Sequence, residues 1–150
     1  MTHDVNSALN ELIETSIDGE KGFAKAAEDA HDAQLKTFFT RCAQRCRQGA
    51  SELQSVVRAH GERPETSGSV AGALHRGWIS VREALSSRDD KAILEECERG
   101  EDYAKAAYRK CLAKEMPSEI RSIVERQYQG VIANHDEVRA LRDRYRVTAA

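Results

Sequence analysis

Proline, glycine and aromatic residues are all scarce in this chain. Its 150 residues include two prolines and nine glycines, and aromatic residues make up 5%. Charged residues make up 32%, a balance that favours long, surface-exposed helices over a β-rich fold or a disordered tail. Uninterrupted apolar runs are also lacking, and none approaches the roughly 20 residues that span a bilayer. The sequence therefore predicts a helical protein outside the membrane.

Charge of one sign is missing as well. The net charge is −2, with acidic and basic residues interspersed, so no strong positive field argues for a nucleic-acid partner. The first residues, MTHDVNSALNEL, lack the basic and apolar regions of a secretory signal. We therefore expect a cytoplasmic protein, in which the four cysteines are free thiols.

Four long segments carry apolar or small side chains at steps of three and four residues, the spacing of one helical face. Turn-forming residues separate the first from the second and the third from the fourth, and Gly61 to Ser69 forms a loop. A shorter stripe that includes Trp78 predicts a helix over 70–85. The pattern indicates one all-α domain over 1–150, an antiparallel four-helix bundle of two hairpins with a short helix in the crossover. The long helices are predicted over 5–30, 33–59, 91–113 and 119–145.

Two glutamates interrupt the apolar stripes. Glu20 falls between Ser16 and Phe23, and Glu101 falls between Cys97 and Ala104. A buried carboxylate without a partner is costly, so each should meet a cation, a metal or a hydrogen-bond donor. We expect both glutamates to point into the bundle at one height.

Glycines recur near the middle of all four predicted helices. Each costs roughly 1 kcal/mol relative to alanine inside a helix. Their shared level indicates either close approach of the backbones or room for a ligand beside the carboxylates. The residues are Gly19, Gly22, Gly49, Gly100 and Gly130.

The glutamate layer has two interpretations. In the first, Tyr, Gln or Arg45 side chains hydrogen-bond the carboxylates, and the polar layer fixes the helix register. In the second, Glu20, Glu101 and His135 bind iron or another divalent metal, with Glu28 and His31 as a less favoured pair. Carboxylate bundles that bind two metals carry Glu-x-x-His on two further helices, and the second and fourth long helices here lack it.

Cysteine offers a further alternative. Cys42 and Cys46 are four residues apart and share a helical face, so they could form a redox or soft-metal site. All four cysteines lie on inward stripes, however, where cysteine behaves as a small apolar residue. The core interpretation is the one we favour.

Three stretches resemble an uncharacterised bacterial family of ferritin-like four-helix bundles, catalogued as domain of unknown function 2383. The resemblance covers nearly the whole chain and is most specific at Asp18-Gly19-Glu20, at Gly72 to Trp78 and at Glu98 to Asp102. It implies a ferritin-like bundle with a helical crossover and supplies no activity. The stretches are LNELIETSIDGEKGFAKAAED (9–29), GSVAGALHRGWISVREALSSRDDKAILEECERGEDYAKAAY (68–108) and HDEVRALRD (135–143).

The sequence contains no Gly-rich phosphate loop, nucleophile elbow or Cys-x-x-Cys pair, which favours a non-enzymatic function. We expect a protein that acts by association, as a homo-oligomer, with a dimer favoured, or with a protein partner; a link to stress is analogy with the wider superfamily. One alternative is a metal-binding or redox protein that uses Glu20 and Glu101. Another is a small-ligand carrier, if the glycine level encloses a pocket.

Overall fold

The structure, a computed structural model, describes residues 2–68 and 90–149, with side chains to residue 145. Every regular element in these ranges is a helix, which confirms the predicted all-α class. The helices are α1 (His3–Asp29), α2 (Ala33–Ala59), α3 (Asp90–Leu112) and α4 (Ser118–Ala149). The predicted crossover helix over 70–85, with Trp78, lies outside the described residues.

Side-chain caps fix where the first two helices begin. The Thr2 hydroxyl accepts a hydrogen bond from the Val5 amide at 3.2 Å, and the Asp32 carboxylate accepts from Gln34 and Leu35. Such caps satisfy amides that the first helical turn leaves without partners. With Asp32 as its cap, α2 begins after a connection of only three residues, 30–32.

Two apolar clusters show how the helices run. One cluster joins the end of α1, the starts of α2 and α3 and the end of α4, and it includes Phe23, Phe39, Leu94 and Val138. The other joins the opposite ends of the same helices. The helices of each hairpin are therefore antiparallel, and α1 is also antiparallel to α3. Helix α2 therefore ends, and α3 begins, at opposite ends of the bundle.

Packing between the helices is uneven. Within each hairpin, α1 packs along α2 and α3 along α4, and the hairpins meet mainly through α1 and α3. Helices α2 and α4 approach each other at only a few positions. This arrangement leaves a gap between α2 and α4 in the middle of the bundle. Among the described residues, no helix is both long and apolar enough to cross a membrane.

Candidate functional site

A cavity of about 490 Å³ lies between the two apolar clusters and is lined by all four helices. Buried residues of α1 and α3 form its inner wall, and more exposed residues of α2 and α4 form its rim. The cavity thus reaches the surface where α2 and α4 are apart. The inner wall includes Ser16, Gly19, Phe23, Gly100, Glu101 and Tyr108, and the rim includes Arg45, Gln48, Gly49, Glu52, Arg126 and Gly130.

The glycines at this level serve two purposes. A Cβ atom added at Gly19 would lie 2.9 Å from Sγ of Cys46, so the absence of a side chain lets α1 approach α2. A Cβ added at Gly49 would meet only the Gln127 side chain, at 3.6 Å, and one at Gly130 would meet Arg45 at 3.8 Å. Those are ordinary contact distances. Both alternatives left open by the sequence are therefore present, close approach at Gly19 and open space beside Gly49 and Gly130.

Glu101 is held on the cavity wall by an amide. It is only 6% exposed, and its Oε1 accepts a hydrogen bond from Nδ2 of Asn134 at 2.7 Å. The carbonyl oxygen of Asn134 faces the other way and accepts from Arg45 Nη2 at 2.8 Å and from the Cys42 thiol at 3.2 Å. Asn134 therefore links the buried carboxyl group to a cationic side chain on the rim.

Burial changes the titration of Glu101. Removal from water raises its pKa from 4.5 to about 7, although the Asn134 hydrogen bond and the charge of Arg45 act in the opposite direction. Desolvation disfavours the charged form of a carboxyl group, and a neutral amide compensates only in part. Glu101 therefore changes charge near neutral pH, in contact with the cavity.

A second set of hydrogen-bonded side chains lies further along the cavity. The Tyr108 hydroxyl donates to Oε1 of Gln127 at 2.8 Å. The Gln127 amide nitrogen in turn donates to Glu52 at 2.7 Å and to the Gly49 carbonyl at 3.3 Å. Glu52 also forms an ion pair with Arg126. These contacts link the inner wall to the rim and join α2 to α4 through side chains.

The four cysteines are free thiols, as expected. Burial raises the pKa of Cys42 to about 12 and that of Cys111 to about 11, and it raises the pKa values of Cys46 and Cys97 well above 9. A thiol with a raised pKa is a poor nucleophile at neutral pH because the thiolate is the reactive form. The raised pKa values favour the core interpretation over a redox pair.

The prediction that Glu20 points into the bundle is wrong. Its side chain is 33% exposed and lies 3.9 Å from Arg47, and it does not line the cavity. The buried face of α1 is centred on Gly19, so Glu20 is rotated by about 100° from that centre. Only one of the two predicted carboxylates therefore faces the interior.

The other predicted metal ligands are also apart from the cavity. His135 is fully buried, and its Nε2 lies 2.6 Å from Asp102, too poorly aligned for a hydrogen bond. Glu28 and His31 are exposed. Within the described residues, no three His, Cys, Asp or Glu side chains form a group able to hold a metal. This donor set does not fit a di-iron centre, and metal binding stays a prediction.

Sequence reasoning found part of this site. It identified Glu101, the glycine level and Arg45, and it proposed hydrogen-bonded polar residues as one alternative. It missed Glu52 and Arg126, which lie on the rim rather than on an apolar stripe. Their signal was spacing, because Glu52 follows Gly49 by three residues and Arg126 precedes Gly130 by four, which places each on the same helical face as its glycine.

Taken together, the fold and the cavity define a four-helix bundle with a central pocket that is lined by glycines, apolar side chains and a few polar groups. The family described as a domain of unknown function, DUF2383, matches residues 4–114, and the chain belongs to it. No curated protein matches the sequence. The match confirms the resemblance to domain of unknown function 2383.

Proposed function

We propose that this protein binds a small organic molecule in the central cavity. The observation that carries the proposal is a buried carboxyl group, Glu101, on the inner wall of a cavity that opens between α2 and α4. Ligand pockets typically enclose about 300–1,000 Å³, with apolar walls and a few polar groups that orient the ligand. The volume of about 490 Å³ falls in this range.

The lining fits such a ligand. Phe23, Ala104 and Val131 supply apolar contacts, while Glu101 and Gln127 supply hydrogen-bonding groups. The glycines also support the proposal, because alanine would be the better helix former at Gly49 and Gly130, where contacts leave room for a Cβ atom. A bundle selected only for stability would gain by filling these positions.

Self-association stays a prediction. The apolar stripe predicted for the crossover helix over 70–85 could supply an interface, and it lies outside the described residues. Sedimentation equilibrium of the full chain measures the oligomeric state directly. The cavity proposal requires no second chain, since residues of one chain are enough to line the cavity.

A blocked variant tests the proposal. We expect a screen of chemically diverse fragments by ligand-observed NMR to give hits with the wild-type protein. Gly49→Leu should weaken these hits at least about tenfold, since its side chain would project into the cavity. Ser51→Leu is the matched control, because it adds the same side chain at an exposed position of α2 outside the cavity lining.

Circular dichroism should show the same helix content in both variants. The proposal fails if no fragment binds the wild-type protein. It also fails if the hits bind Gly49→Leu as tightly as Ser51→Leu.

A further inference from the structure

We propose that the natural ligand is a small organic cation, a primary or secondary ammonium with an apolar body, whose N–H groups donate to Glu101. This inference rests on the proposed function and names its ligand class. It follows from the neutral hydrogen-bond donor that Glu101 has and from the ion pair that it lacks among the described residues.

Glu101 has no cationic partner of its own. Among the described residues, none of the ion pairs within 4.0 Å includes Glu101, and its hydrogen-bond donor is the neutral amide of Asn134. The charge of Arg45 lowers the pKa of Glu101, but its guanidinium donates to Asn134 and to the Gly130 carbonyl instead of to the carboxylate. Because an unpaired buried carboxylate is costly, a cation that enters the cavity would gain an ion pair in a poorly solvated position.

The donor set favours an organic cation over a metal ion. Asn134 turns its NH₂ group toward Glu101, while its carbonyl oxygen accepts from Arg45 and Cys42. A divalent metal beside Glu101 would need additional oxygen or nitrogen ligands, and metal-binding amides ligate through oxygen. An ammonium group needs only acceptors, which the carboxylate supplies.

Aromatic rings line the same cavity. Phe23 lies on its α1 wall and Tyr108 on its α3 wall. Aromatic faces attract ammonium groups, by about 0.5–2 kcal/mol depending on desolvation. They also provide apolar surface for the body of the ligand. A carboxylate with aromatic residues on either side suits an amphipathic amine.

The positive charges of the rim do not prevent access. Arg126 is paired with Glu52, and Gln127 donates to the same carboxylate. Arg45 is exposed, so solvent weakens its charge, although that charge still acts on Glu101. Among the described charged residues that line the cavity, Arg45, Glu52 and Arg126 lie on the rim and Glu101 is the buried one.

The groups around Glu101 determine how binding depends on pH. Helix α2 presents Arg45, Cys42 and Cys46, and α3 presents Cys97, Asp102 and Tyr108. Helix α4 presents the neutral Asn134, and its His135 lies beside Asp102 of α3. The α1 wall includes Thr15, Ser16, Gly19 and Phe23, none of which is charged. Burial keeps the cysteine and tyrosine groups neutral below pH 8, so Glu101 is the acid that the cation would meet.

Three probes of the same shape and different charge test the inference. Calorimetry at pH 8 would compare 2-phenylethylamine, 2-phenylethanol and 3-phenylpropionate. We expect the amine to bind at least about tenfold more tightly than the alcohol, and the carboxylate to bind most weakly. Glu101→Gln should remove the advantage of the amine while leaving the affinity for the alcohol within about threefold.

Glu20→Gln is the matched control, because Glu20 lies on the same bundle but outside the cavity lining. This variant should keep the preference for the amine. Lowering the pH from 8 to 6 should weaken amine binding to the wild-type protein by up to about tenfold, since Glu101 must then lose a proton on binding, and should leave Glu101→Gln unchanged.

The inference is overturned if the alcohol or the carboxylate binds as tightly as the amine, or if Glu101→Gln keeps the preference. It is also overturned if none of the three probes binds. In each of these cases the diverse fragment screen still decides separately whether the cavity takes ligands at all.

Discussion

A carboxyl group inside a bundle links folding to pH. The pKa of Glu101 is about 7 in the folded protein and 4.5 at its ordinary value, and burial is the main cause of the difference. Between these two pH values the folded protein holds a proton that the unfolded chain has lost. Stability therefore falls as the pH rises from 4.5 to 7, and this group causes no further loss above that range.

Glu101→Gln should remove this pH dependence. The amide keeps the acceptor for Asn134 and cannot ionise, so the stability of the variant relative to wild type should increase between pH 4.5 and 7. A shift of this size corresponds to an increase on the order of 3 kcal/mol. Urea denaturation at several pH values measures it, with Glu20→Gln as the control. Parallel stability curves for wild type and Glu101→Gln would contradict the assignment.

The two glutamates show how far residue patterns can be interpreted. Both follow the last stripe residue by four positions and precede the next by three, so sequence spacing cannot distinguish them. The difference arises from which side of each helix meets its neighbours. The buried face of α3 includes Gly100 and Glu101, whereas that of α1 is centred on Gly19 and leaves Glu20 at its edge. Helix rotation depends on partners that are distant in the sequence.

At the scale of helices, the sequence predicted the positions of the four long helices well. The four observed helices begin and end within a few residues of the predicted bounds, because apolar periodicity and turn residues are local signals.

One hydrogen-bonded contact between helix ends was missed. The Asp90 carboxylate at the start of α3 accepts hydrogen bonds from the backbone amides of His31 and Asp32, at 2.9 and 3.1 Å. The partners are almost 60 residues apart, so no local pattern reveals the contact.

The contact between α1 and α2 at Gly19 provides a test of close packing. Gly19→Ala would place Cβ 2.9 Å from Sγ of Cys46, so we expect a loss of about 1–3 kcal/mol in the free energy of unfolding. Gly49→Ala should instead gain up to about 1 kcal/mol from helix propensity, because its Cβ meets nothing closer than 3.6 Å. Chemical denaturation of both variants measures the opposite signs.

A double variant identifies the cause of the loss at Gly19. Cys46→Ala removes the sulfur and leaves a Cβ atom 3.8 Å from the added one. Gly19→Ala combined with Cys46→Ala should therefore be destabilised by less than the two single changes together. Additive losses would show that the close approach to Cys46 is not what requires glycine.

At the scale of the molecule, the cavity results from unequal packing of the two sides of the bundle. Helices α1 and α3 supply most of the contacts between the hairpins, and α2 and α4 are held across the gap by polar side chains. Arg45 bonds to Gly130 and Asn134, and Gln127 bonds to Gly49 and Glu52. The sequence predicted a shared polar level, but the gap could not be predicted because it depends on the separation of two helices on different hairpins.

This asymmetry predicts where the bundle opens. Solvent-exposed hydrogen bonds contribute little to local stability, so the gap between α2 and α4 should open more readily than the interface between α1 and α3.

In native-state hydrogen exchange, amides of α2 and α4 near Gly49 and Gly130 should exchange by local opening. Amides of α1 and α3 at the same level should exchange only on global unfolding. A bound fragment should slow exchange in the first group by closing the gap, and should slow the second group only by the amount that binding adds to the free energy of global unfolding. Equal exchange in all four helices would mean that the cavity is not reached through this gap, and access would then have to be sought along another face of the bundle.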